Sequence, residues 1–165
     1  MSGAPSMVSD DTQPFSVLSA TPAAAAQALW FALQGKPWSS LAVLPAGRGE
    51  SSLGAGTALY DVGVLASGGP MRFLDGRGVT LATTASFIVN MTTLLTASER
   101  RPPAAQRLVV VLTSVLEQPG SIPIALAADA VVLTVTLGTT SLDDARRTLA
   151  LVGAEHVLGC ITLSP

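Results

Sequence analysis

The sequence is short of the side chains that carry most protein chemistry. Its 165 residues contain one cysteine, Cys160, and one histidine, His156. That excludes a disulfide framework and leaves no ligand set for a zinc site. Lys36 is the only lysine among nine basic residues, so lysine chemistry has a single candidate position. Charged residues make up only 12%, with 9 Lys+Arg against 11 Asp+Glu and a net charge of -2. No basic field is present to hold nucleic acid, which removes that class of partner. No apolar run reaches the ~18 residues of a membrane span; the best, "IALAADAVVLTVTLG", is interrupted by Asp129. The opening "MSGAPSMVSDDTQPFS" has acids and no apolar segment, unlike a signal peptide. The expectation is a flexible arm over 1–20 and a soluble, cytoplasmic domain over 21–165.

What the chain has in abundance is aliphatic side chain. Hydrophobic residues make up 48%, enough for one large core and a sparsely charged surface of the kind that serves as an interface. "TPAAAAQALWFALQG" (21–35) opens on Thr-Pro and closes on glycine, which predicts a helix. "SSLAVLP" predicts a short strand, "SSLGAGTALYDVGVLAS" a helix with three internal glycines, and "MRFLD" a strand. "GVTLATTASFIVN" (78–90) leans to strand on its β-branched content. "MTTLLTASERR" predicts a helix that stops before Pro102 and Pro103. "QRLVVVLTS" and "DAVVLTVTLG" are strands of the fully buried, parallel kind. "EQPGSIPIALAA" predicts a loop and short helix. "SLDDARRTLALVGA" is a helix with Ser141 as N-cap, and "HVLGCITLS" the last strand. The alternation predicts an α/β three-layer sandwich around a mostly parallel sheet.

One stretch points at chemistry. In "LAVLPAGRGESSLGAG" (41–56) an apolar strand ends at a proline, a Gly-Arg-Gly turn follows, and a helix starts after two serines. This is the layout of a phosphate-binding loop, in which backbone N–H groups and a helix N-terminus hold phosphate. The bland alternative is an ordinary strand-to-helix turn.

In the order of its parts the chain resembles the MinD/ParA-type deviant-Walker P-loop ATPases. Among them it is most similar to the cytoplasmic domains of bacterial tyrosine kinases of capsule and exopolysaccharide synthesis. "AADAVVLTVTLGTTSLDDARRTLALVGAEHVLGCITL" carries most of the resemblance; "PAGRGESS" and "FLDGRG" are shorter echoes of the Walker A loop and of an Asp-containing second motif. The resemblance implies a shortened P-loop NTPase-like fold. It also implies that the catalytic positions have changed together. Glu50 stands where the loop lysine would be. One charge pair at ~4 Å and an effective dielectric near 20 is worth ~4 kcal/mol, and the inverted sign makes that attraction a repulsion. Lys36 lies before the strand, at the far side of the sheet from the loop. Leu112, followed by Thr113, Ser114 and Val115, stands where an Asp would hold Mg²⁺. Asp75 remains of the second motif, with Arg77 in place of its second acid.

Gly47 and Gly49 remain able to shape the loop, and Ser51 or Ser52 to offer a hydroxyl. The adenine-contacting Asn falls at about Leu163. The Glu and two Arg of the kinases' oligomerisation helix fall on Ala24, Gln27 and Trp30, and their tyrosine cluster has no counterpart beside Tyr60. The expectation is no catalytic residue, no metal, and a degenerate nucleotide loop over Gly47, Arg48, Gly49, Glu50, Ser51 and Ser52 that binds neither ATP nor Mg²⁺.

Three functions follow. The first is a silent P-loop module, or pseudo-kinase, acting as a regulatory or scaffold subunit of exopolysaccharide synthesis or export. Its partner would be the cytoplasmic part of a membrane polysaccharide copolymerase or synthase subunit, or a second copy of itself, which would bring it to the inner membrane. The second is a divergent ATPase or kinase in which Arg48 replaces the lysine. The third is a MinD/ParA-like membrane-surface factor. Arg146 and Arg147 are expected on a solvated helix face with Asp143 and Asp144, His156 at a loop end, and Cys160 in the core. Trp30 and Phe31 are adjacent on a helix, so one faces the core and the other solvent. This pair is the candidate interface.

Overall fold

The computed structural model describes residues 21–96 and 106–164. The arm expected over 1–20, and the end of the helix expected before Pro102, lie outside them. Five strands, β1 (Ser40–Pro45), β2 (Met71–Asp75), β3 (Arg107–Val111), β4 (Ala130–Thr136) and β5 (Val157–Leu163), form one sheet in the order β2-β3-β1-β4-β5. Every pairing is parallel. Five helices connect and cover them: α1 (Pro22–Leu33), α2 (Leu53–Ala66), α3 (Thr84–Thr96), α4 (Ser121–Ala127) and α5 (Leu142–Val152). The expected three-layer α/β sandwich is the observed one.

The apolar strands require cover on both faces, and the core divides accordingly. Ala42 and Leu44 of β1 pack with Val110, Leu112, Leu133 and the helices α3, α4 and α5 on one face. Leu41 and Val43 pack with Val109, Val132, Ile161 and the helices α1 and α2 on the other. All six residues of β1 are buried, because β1 lies between β3 and β4. Its start is tied to β4 by Asp129, whose Oδ2 accepts from the Ser39 and Ser40 N–H groups at 2.8 Å each.

One element differs from expectation. Residues 84–96, read as strand in their first half, form the single helix α3. Thr84, Phe87, Ile88, Met91 and Leu95 recur at helical spacing and face the core. The β-branched threonines do not oppose this, since their hydroxyls bond back along the helix: Thr92 and Thr93 donate to the Ile88 and Val89 carbonyls at 3.0 and 2.8 Å. Thr83 starts the turn by accepting from the Thr80 N–H at 3.0 Å. Amphipathic packing outweighs the strand propensity of single residues.

The candidate interface pair separates as geometry demands, with Trp30 inside. Trp30 is fully buried and Phe31 is 61% exposed. Trp30 stacks edge-on with Trp38 at 5.5 Å, and the Arg107 guanidinium lies over both rings. Its ring abuts Gly63 of α2, where a Cβ would come within 2.7 Å of it. Gly63, a weakness by helix propensity, is the gap that admits the indole. Trp30 is therefore a core residue and not a docking residue; Phe31 alone faces solvent. Cys160, expected in the core, is also exposed, because β5 is an edge strand and Cys160 points away from α1.

Trp30→Ala is expected to destabilise the domain by roughly 3–5 kcal/mol, read by denaturant unfolding. Phe31→Ala should change stability by only about 0.5 kcal/mol or less.

Candidate functional site

A parallel sheet delivers the C-terminal ends of all its strands to one edge. Here β1 and β4 are neighbours, and the helices that follow them, α2 and α5, lie on opposite faces. That is a topological switch point, where open α/β sheets form their binding crevice. The loop 46–52, between β1 and α2, stands at it. The loop after β3 flanks it on one side and the loop after β4 on the other. Lys36 lies before β1, at the opposite end of the sheet.

The loop begins in the core. Ala46 is buried, its N–H donates to the Thr134 carbonyl at 2.8 Å, and its carbonyl accepts from the Thr148 hydroxyl at 2.9 Å. Gly49 has φ +68, a conformation that glycine adopts without steric cost. From there the loop is held by acids. The Gly49 N–H donates to Glu117 Oε2 at 3.1 Å. Glu50 turns back over Gly47, with its carboxylate where a Gly47 side chain would otherwise begin. It accepts the Thr140 hydroxyl at 2.7 and 2.9 Å through its two oxygens. Thr140 Oγ1 in turn accepts the Thr136 N–H at 2.8 Å. Glu50 is thus fastened across the switch-point crevice to the loop that follows β4. Arg48, at the tip, is 55% exposed and pairs loosely with Asp144 of α5 at 3.7 Å.

The serines divide. Ser51 is exposed, whereas Ser52 is fully buried and donates to the Leu112 carbonyl at 2.8 Å. Of the two hydroxyls offered by the sequence, the one at the helix start is committed to the protein's own backbone. The Leu112 side chain is buried in the core among the residues of the α3–α5 face. Asp75 ends β2 at some remove from this cluster, in a two-bond pair with Arg77 at 2.9 and 2.7 Å. The Arg77 hydrogen bond holds the Asp75 carboxyl below its ordinary range, against a smaller opposing effect of burial. Arg146 pairs weakly with Asp143 at 3.9 Å on an exposed face, as expected. Asp144 instead turns to Arg48.

The sequence reading found the loop and Glu50 but missed their fastenings. Thr140 had a signal in the Gly-x-Thr turn after β4; Glu117, in "EQPG", had none. Among the described residues, no group of three or more His, Cys, Asp or Glu is placed to hold a metal ion, and no helix is long and apolar enough to cross a membrane. Ser52→Ala should strand the buried Leu112 carbonyl without a donor and lower stability by about 1–3 kcal/mol, measured by urea unfolding.

No protein-family profile matches the chain, and no curated protein matches it in sequence. A solved structure does match in fold. The crystal structure of the chimerical protein CapA2B2 superposes with a TM-score of 0.63 at 13% identity, over 93% of this chain and 87% of that one. The likeness, at that identity, is one of fold. The chain has a P-loop NTPase-like α/β fold, with its five parallel strands flanked by helices on both faces.

Proposed function

We propose that this chain is a catalytically silent P-loop ATPase-like module, a pseudo-kinase, which acts as a regulatory or scaffold subunit in bacterial exopolysaccharide synthesis or export. The observation that carries the proposal is Glu50. It stands in the lysine position of the loop and is held there by Thr140 at 2.7 and 2.9 Å. A carboxylate at that point repels a triphosphate where a lysine would attract it.

The other residues agree in direction. The Gly49 N–H, a group of the kind that would cradle phosphate, is already bonded to Glu117. The Ser52 hydroxyl is bonded to the Leu112 carbonyl, which leaves only the exposed Ser51, next to Glu50, to offer a hydroxyl, and Leu112 brings no carboxylate toward a magnesium ion. These residues do not fit Mg-ATP, and no step of a phosphoryl transfer is assigned to them. The biological setting rests on the likeness to capsule and exopolysaccharide kinases read in the sequence, and on the fold shared with CapA2B2. In that setting the module is cytoplasmic. It is held at the inner membrane by the cytoplasmic part of a polysaccharide copolymerase or synthase subunit.

A divergent ATPase is the second reading, favoured by one observation. Arg48 is 55% exposed at the loop tip, and its only ion pair among the described residues is long, at 3.7 Å. It is free to meet a phosphate. Loss of nucleotide turnover on Arg48→Ala would support this reading, and absence of turnover in the natural chain removes it.

Calorimetric titration of the natural chain with Mg-ATP separates the two. No binding is expected up to millimolar nucleotide; a micromolar dissociation constant would overturn the silent-module reading. Glu50→Lys alone is expected to fold and still to hydrolyse no ATP. Adding Leu112→Asp should not rebuild the site, because that side chain lies in the core and an unpaired carboxylate there costs several kcal/mol. Robust hydrolysis by Glu50→Lys would show the magnesium support to lie elsewhere.

A further inference from the structure

The two edges of the sheet are built differently. The β2 edge bears Arg72 and Asp75, both exposed, with Arg77 paired to Asp75. Charges on an edge strand deter other strands from adding to it. β5 reads VLGCITL, with no charge and no proline. Its pairing with β4 shifts register once, so that Leu158 is extra and 159–163 pair regularly. The Leu163 carbonyl accepts from the Leu137 N–H, on the β4 side. Strand alternation then turns the N–H and C=O groups of Cys160 and Thr162 outward. Both residues are exposed, and among the described residues no strand pairs with β5 on that side.

The helix beside this edge is equally free of charge. α1 reads PAAAAQALWFAL, without an acid or a base. Its rotation is fixed by two contacts. Leu29 lies over Gly159 of β5, and Trp30 lies against Gly63 of α2. At 3.6 residues per turn, Ala28 and Ala32, both exposed, then face away from α2, with Ala25 half-buried at the margin of the core. Small side chains there leave room for another helix to lie close alongside.

We propose that β5 is a dimerisation edge: it pairs antiparallel with β5 of a second copy of this chain, about a twofold axis perpendicular to the sheet. That one operation satisfies the outward backbone groups of Cys160 and Thr162 and sets α1 beside α1 on the same face of a continuous, doubled sheet. A second copy suits the surface better than a foreign strand with a charged pattern, because β5 and α1 offer no charge for such a strand to meet. Placed against itself, the surface brings no like charges together, and twofold pairing is self-complementary. The paired strip is short, about 17 Å for five residues of strand beside a helix of about 18 Å. A contact of that extent falls below the ~800 Å² per partner of a standard interface, so the dimer is weak.

Sedimentation equilibrium and light scattering of the full chain, from micromolar to millimolar concentration, read this directly. The mass is expected to rise from monomer to dimer across that range. Thr162→Pro removes an outward N–H without breaking a bond to β4, and proline is tolerated on edge strands at such positions. It is expected to stay monomeric at every concentration. Thr162→Lys, which leaves the backbone intact, should do the same with an unchanged circular dichroism spectrum if the proline variant fails to fold. Hydrogen exchange at the Cys160 and Thr162 amides should slow as concentration rises. A natural chain that stays monomeric at millimolar concentration overturns the proposal, and so does a Thr162→Lys variant that dimerises as the natural chain does.

Discussion

The parallel arrangement of the five strands governs the rest of the molecule. Parallel strands need a crossover after each, so helices cover both faces and the strands between them are apolar throughout. β1 shows the extreme, with six consecutive buried residues. The same arrangement brings the loops after β1, β3 and β4 together at one edge. Glu50, Glu117 and Thr140 are far apart in sequence, yet they meet because their strands are neighbours.

What they form there is a closed loop. Buried hydrogen-bonding groups need partners, and the buried Ser52 hydroxyl finds one inside the protein, as do the half-buried Glu50 and the exposed Gly49 N–H. The Ser52 hydroxyl has the Leu112 carbonyl, the Gly49 N–H has Glu117, and the Glu50 carboxylate has Thr140. Hydrogen bonds to a charged carboxylate are worth about 1.5–3 kcal/mol. A nucleotide would have to break these contacts and also meet two negative side chains. Under the proposed function this is a phosphate-binding loop with its chemistry turned inward; the fold alone does not decide activity.

Much of this was legible in the sequence. The strands of the second half, the Thr21 and Ser141 caps and the loop at 46–52 follow from apolar runs and capping chemistry, and each is where the residues predicted. The helical character of α3 was obscured, because threonine and valine weigh toward strand until their back-bonding and the spacing of Phe87, Ile88 and Met91 are considered. Adjacency showed that Trp30 and Phe31 must part, but not which goes inside. That choice depends on Gly63, more than thirty positions away. Glu117 was invisible for the same reason: its role comes from a sheet neighbour, and nothing in its local sequence announces it.

The central claim is that the 46–52 loop is closed to nucleotide by its own side chains. Backbone amide resonances of Gly47, Gly49, Glu50 and Ser52 report on it directly, since these N–H groups line the loop itself. On titration with Mg-ATP at physiological salt they are expected to stay in place up to millimolar nucleotide. Saturable shifts at these amides, absent when Mg²⁺ is added alone, would contradict the account.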